Sequence, residues 1–116
     1  MHRYKDLDVW KKSMDLVELI YQTTKSFPDS EKFGLTSQIN RCSVSVASNI
    51  AEGAGRNSKG EFKQFIGIAV GSLFELETQI LIAQRIGYLT SQGSDQVISE
   101  VESIHKMLFG LKKSLN

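Results

Sequence analysis

The sequence predicts an all-α fold, an antiparallel up-down-up-down four-helix bundle, and three observations carry that expectation. Proline occurs once, at Pro28, so little interrupts the backbone hydrogen bonding that a helix requires. Four segments place apolar residues at alternating intervals of three and four, the period of one helical face. The connections between them are short, which sets consecutive helices antiparallel. No strand pattern competes with them. With 116 residues, 41% apolar and 23% charged, the chain fits one domain, 1–116, with enough apolar side chains to fill one core.

The first helix is expected over about Asp8 to Lys25. Leu7, Trp10, Met14, Val17 and Tyr21 form its main stripe, which Val9, Leu16 and Ile20 widen. Pro28 forces its preceding residue out of the α region and ends the segment. The second helix runs from about Gly34 to Ala54, with Leu35, Ile39, Cys42, Val46 and Ile50 in line. Val44, Ala47, Ala51 and Ala54 lie roughly opposite, mostly small enough for another helix to approach. Arg41 is the only charge between Phe33 and Ala51, so this helix should be covered on more than one side.

Gly53 to Asn57 breaks the pattern, and Ser58 with Glu61 reads as a capping box. The third helix follows over about Lys59 to Arg85. Phe62, Ile66, Ala69, Leu73, Leu76, Ile80 and Ala83 repeat without error, while Phe65, Ile68, Val70, Phe74, Leu81 and Ile82 fall outside the stripe. Gly67 and Gly71, one turn apart, predict a closely packed neighbouring backbone, because each costs helix stability relative to alanine. Gly87 is placed to end the helix as a C′ glycine. The fourth helix starts at Ser91 or Ser94 and reaches Ser114, with Val97, Val101, Ile104, Leu108, Leu111 and Leu115 in line. Asp95 and Glu100 come early and Lys112 and Lys113 late, as the helix dipole favours.

Chemistry is sparse. The formal charge is +1, from 14 Lys and Arg against 13 Asp and Glu, a small excess for a polyanion binder. Cys42, the single cysteine, excludes an internal disulfide and suits a reducing, cytoplasmic location. No secretory signal is expected at the start, and no apolar run of membrane-spanning length. The Glu102–His105 pair has the Glu-x-x-His spacing of di-iron bundles, but the chain lacks a second such motif. No catalytic site, metal, cofactor or small-molecule substrate is expected. Cys42 falls on an apolar stripe, where a thiol behaves as a small hydrophobe. Arg41, Ser45, Ser48 and Glu52 share a face of the second helix, with Asn49 at its edge. The Gly53–Lys59 loop holds the ingredients of an anion site, although a C-cap followed by an N-cap explains it as well.

Several of these residues carry a resemblance. Phe33 to Gln38, Val44 to Gly53, Leu7 to Trp10, Gly71 to Glu77 and Gly87 to Leu89 together resemble the four-helix bundle proteins of the 23S rRNA intervening-sequence family. Asn49 and Glu52 are the signature polar residues. Ala47 stands where the family usually has proline, which should leave the second helix straighter. The resemblance implies small bacterial cytosolic proteins that assemble as ring-shaped homopentamers, without established catalysis. It also implies a kinship with strongly basic retroelement accessory proteins that bind nucleic acid.

Two functional expectations follow. The second and third helices carry more apolar surface than one bundle uses, so copies of the chain should associate; Val44, Ala47, Ala51, Val70, Phe74 and Leu81 are the candidate interface. Alternatively, the assembled ring binds RNA or DNA through Lys5, Lys11, Lys12, Arg41, Arg56, Lys59 and Lys63. No membrane partner is expected.

Overall fold

The computed structural model describes residues 2–116. Four helices account for most of them: α1 (Asp8–Thr24), α2 (Leu35–Ala54), α3 (Lys59–Arg85) and α4 (Ser91–Ser114). Single 3-10 turns at Tyr4–Asp6 and Asp29–Glu31 precede α1 and α2. No strand occurs among the described residues.

Cross-helix pairs fix the direction of each helix. The His2 amide donates to the Ala54 carbonyl at 2.8 Å, and the Thr24 hydroxyl donates to Asn40 Oδ1 at 3.0 Å, so α1 and α2 run oppositely. Ser45 meets Ser72 at 2.9 Å, and Gly53 lies beside Phe62 and Phe65, which reverses α3 relative to α2. Gln84 bonds Ser91 at 3.0 Å and Phe74 packs on His105, which reverses α4. Each helix packs on its sequence neighbours, and α1 closes the ring against α4, where Lys12 pairs with Glu100 at 3.5 Å. The molecule is 43 Å long, about the length of the 27-residue α3 at 1.5 Å per residue.

The core follows the periodic stripes, with one rotation. All seven residues of the α3 stripe are buried, as are Ile39, Cys42, Val46 and Ile50 of α2 and Val97, Val101, Ile104 and Leu108 of α4. In α1 the buried line is Val9, Ser13, Leu16, Ile20 and Thr24. Met14 and Tyr21, expected in the stripe, are exposed. Two small hydroxyl residues take the core positions because both find acceptors there: Ser13 Oγ donates to the Val9 carbonyl of its own helix at 2.7 Å, and the Thr24 hydroxyl is shared between Asn40 of α2 and the Tyr21 carbonyl.

The ends are tied by side chains. Ser58 Oγ accepts the Glu61 amide at 3.1 Å and itself donates to the Glu61 carboxylate, so the expected cap of α3 is present. Gly87 adopts a φ of 89°, and the amides of Gly87 and Tyr88 bond the carbonyls of Gln84 and Ala83. These are the two bonds of a Schellman stop. Glu31 joins two connections, accepting the Leu35 amide at 3.1 Å and the Tyr88 hydroxyl at 2.9 Å. That bond is the largest cause of the upward shift of the Tyr88 pKa.

Three expectations need correction. Ala47 and Ala54 are buried within the chain, so α2 spends half of its second apolar face on its own bundle. Nothing lies within 4 Å of a Cβ placed on Gly67 or Gly71, so no backbone of this chain fills that notch. Gly53 is the glycine of close approach, since a Cβ there would sit 2.6 Å from Phe65 Cβ. Finally, α3 is long and apolar enough to cross a membrane by length and composition, contrary to the expectation of no such segment. Its complete buried stripe, together with Glu75 and Glu77 at mid-helix, is what a bundle helix needs.

Candidate functional site

The signature residues of α2 form a polar seam against α3. Asn49 Nδ2 donates to the Ser45 carbonyl at 2.8 Å and to Ser45 Oγ at 3.0 Å. Ser45 Oγ meets Ser72 Oγ, and Cys42 Sγ donates to the Ser72 carbonyl at 3.1 Å. Asn49 therefore bonds a backbone carbonyl in the middle of α2. Burial is the main cause that pushes the Cys42 thiol up to about 12, and the negative charge and hydrogen bond of Glu75 add to it. A thiol so held is neither a nucleophile nor a metal ligand near neutral pH. The seam locks α2 to α3.

The candidate basic residues do not gather. Arg56 is engaged by Glu52 at 3.2 Å and Glu61 at 3.7 Å and lies over the Phe65 ring at 4.8 Å. Glu52 thus serves as its ion-pair partner. Lys12 is paired with Glu100, and Lys63 hydrogen-bonds Asn116. Lys5, Lys11, Arg41 and Lys59 are exposed. Arg41 is about four turns from the α2–α3 connection that carries Arg56 and Lys59. His2, Arg56, Asn57, Ser58, Lys59 and Phe62 line a shallow hollow at that connection, but the N-terminus of α3 is already capped and its arginine paired.

The outer face of α3 is different. Ile68, Phe74, Leu81 and Ile82 are exposed, Phe74 at 55%, on the side where Gly67 and Gly71 leave open space. Thr78, Leu81, Ile82, Gln84 and Arg85 line an open depression farther along. Of the other interface candidates, Val44 is exposed at the edge of α2, Ala51 and Val70 are half-buried, and Ala47 is buried and has little surface to offer. His105 packs edge-on against Phe74 with ring centres 5.1 Å apart, while Glu102 is exposed. Among the described residues no three His, Cys, Asp or Glu side chains form a metal-binding group.

Sequence reasoning passed over Phe109, which is 66% exposed on α4 between Lys106 and Lys112. Its position outside the Val97–Leu115 stripe was available from the helical period. Phe33, in the signature run that precedes α2, is 90% exposed.

Comparison with known proteins gives a family and a fold. The pattern of the 23S rRNA-intervening sequence proteins matches residues 5–110. No curated protein matches the chain. A solved structure from Bacteroides thetaiotaomicron, described as a protein with unknown function from the S23 ribosomal protein family, superposes with a TM-score of 0.84 at 25% identity. The alignment covers 90% of this chain and 95% of that one.

Proposed function

We propose that this chain, which belongs to the 23S rRNA-intervening sequence protein family, is a non-catalytic bundle that works as a homo-oligomer, with the outer face of α3 buried between copies. The observation that carries this reading is the exposure of Ile68, Phe74, Leu81 and Ile82 along one helix, beside two glycines with nothing near them. Large apolar side chains exposed along one helix are costly to hydrate and mark an interface. Glycine inside a helix is unfavourable by about 0.5–1 kcal/mol relative to alanine, and a neighbouring subunit packed close at Gly67 and Gly71 offsets that cost. The ring of five that the family resemblance implies provides such a neighbour. A cyclic arrangement places the face of α3 against a different surface of the next copy and closes without leaving it wet. The inert thiol of Cys42 and the committed polar seam of α2 support a role in presenting surfaces.

Light scattering on the purified chain tests the reading. A particle several times 13.0 kDa is expected, and Phe74→Glu with Leu81→Glu should reduce it to single subunits that keep their helical circular dichroism. Lys25→Glu, on the exposed end of α1, should leave the mass unchanged. Wild-type protein of single-subunit mass, or a charged pair that still assembles, contradicts it.

A further inference from the structure

We propose that the α4 surface around Phe109 binds single-stranded nucleic acid, with the Phe109 ring as a stacking platform and Lys106, Lys112 and Lys113 as phosphate contacts. The charge of the α3–α4 pair is sharply divided along its length. From Ser103 to Asn116 the sequence contains Lys106, Lys112 and Lys113 and no Asp or Glu, and between Phe62 and Phe74 on α3 the only charge is Lys63. The other half, Glu75 to Glu102, carries Glu75, Glu77, Asp95, Glu100 and Glu102 against Arg85. A chain with a formal charge of +1 thereby concentrates cations at one end of one face.

These cations are also uncommitted. Among the described residues the ion pairs use Arg3, Lys12 and Arg56, and none involves Lys106, Lys112 or Lys113. The helix dipole accounts for lysines in the last turn of α4, but not for Lys106 or for an aromatic ring left 66% exposed among them. Surface hollows flank that ring. One, of about 310 Å³, is lined by His105, Lys106 and Phe109 on the side of the preceding turn. Another, of about 280 Å³, is lined by Phe109, Lys112, Lys113 and Asn116 on the side of the following turn. An accessible aromatic ring with a lysine at the edge of each adjoining hollow suits a base stacked on the ring and phosphates carried past on either side.

A single strand fits better than the other polyanions. A duplex keeps its bases stacked and has no use for the Phe109 ring. A lipid surface would cover the exposed face of α3 as a whole, yet Ile68 and Phe74 lie in the basic half while Leu81 and Ile82 lie toward the acidic half, which anionic headgroups repel. This site differs from the cations that sequence reasoning selected; its groups all belong to α4 of one subunit, and it adjoins the face proposed above for assembly, since Phe109, His105 and Lys112 share a hollow with Gly67 and Val70.

Fluorescence polarisation with a labelled oligouridylate at low salt tests the inference, with light scattering on the same samples reporting assembly separately. Binding should weaken with salt at a log–log slope of about −2, for three phosphate contacts on a single strand. Phe109→Ala should weaken binding by about tenfold or more with that slope kept. Lys112→Gln with Lys113→Gln should flatten the slope to about −0.7, and Arg41→Gln should change nothing. The substituted side chains are exposed, so the fold should persist, as thermal melts of each variant will show. A flat titration, an unchanged affinity for Phe109→Ala, equal affinity for duplex of the same length, or binding only to phosphatidylserine vesicles would each overturn the proposal.

Discussion

Gly53 and Gly71 are both glycines inside a helix, yet a methyl group would meet opposite surroundings at the two. At Gly53 the new carbon would lie 2.6 Å from Phe65 Cβ and 3.0 Å from Phe62 Cδ1, both anchored in the α2–α3 contact. Gly53→Ala should therefore destabilise the subunit by about 1–3 kcal/mol through overpacking, against a helix-propensity gain of about 1 kcal/mol. Urea unfolding of the two proteins measures the difference. Cys42 gives a second residue-level expectation. Its folded-state pKa lies at about 12, above the ordinary 9.0. The neutral thiol therefore contributes stability that is complete below pH 9 and is lost as pH rises toward 12. Unfolding curves at rising pH should show this alkaline loss in the wild type and less of it in Cys42→Ala. Neither partner is visible in a linear sequence, because Phe65 and Glu75 reach these positions only once α3 folds back on α2.

At the scale of the element, legibility depended on whether size and burial agree. In α3 they do, and all seven stripe residues predicted from spacing are buried. In α1 they do not. Trp10, Met14 and Tyr21 outweigh Ser13 and Thr24 on any apolar pattern, yet the two hydroxyl residues are buried. Ser13 bonds a carbonyl of its own helix and Thr24 bonds Asn40 of α2 as well as Tyr21, so burial costs them little. The C-terminal stop at Gly87 and the Ser58 cap were legible because each depends on local residues alone. The glycines of α3 were legible as a notch and misread as to its occupant. Gly67→Ala and Gly71→Ala should each raise the stability of an isolated subunit by about 0.5–1 kcal/mol, since each methyl enters open space within the chain. The same pair should weaken assembly when another copy fills the notch. Thermal melts of the charged α3 variants, with and without the alanines, separate the two effects.

Over the whole molecule, the sequence shows a surplus of apolar side chains but not its distribution. The surplus of α2 is partly consumed inside the bundle, through Ala47 and Ala54. That of α3 remains on the surface, as Ile68, Phe74, Leu81 and Ile82. The candidate cations followed the opposite course: two of them, Arg56 and Lys12, are neutralised by carboxylates that lie in other turns or on other helices. Unpaired lysines gather instead on α4, around an aromatic ring. Such divisions depend on how helices rotate about their axes, which the apolar period fixes only approximately where two stripes compete, as in α1.

Sedimentation equilibrium of the unmodified chain at micromolar concentration, followed through dilution, tests most directly whether the α3 surface is covered by another copy. A mass several times 13.0 kDa that persists as the sample is diluted is the result expected. A homogeneous, folded species at the mass of one subunit contradicts the account.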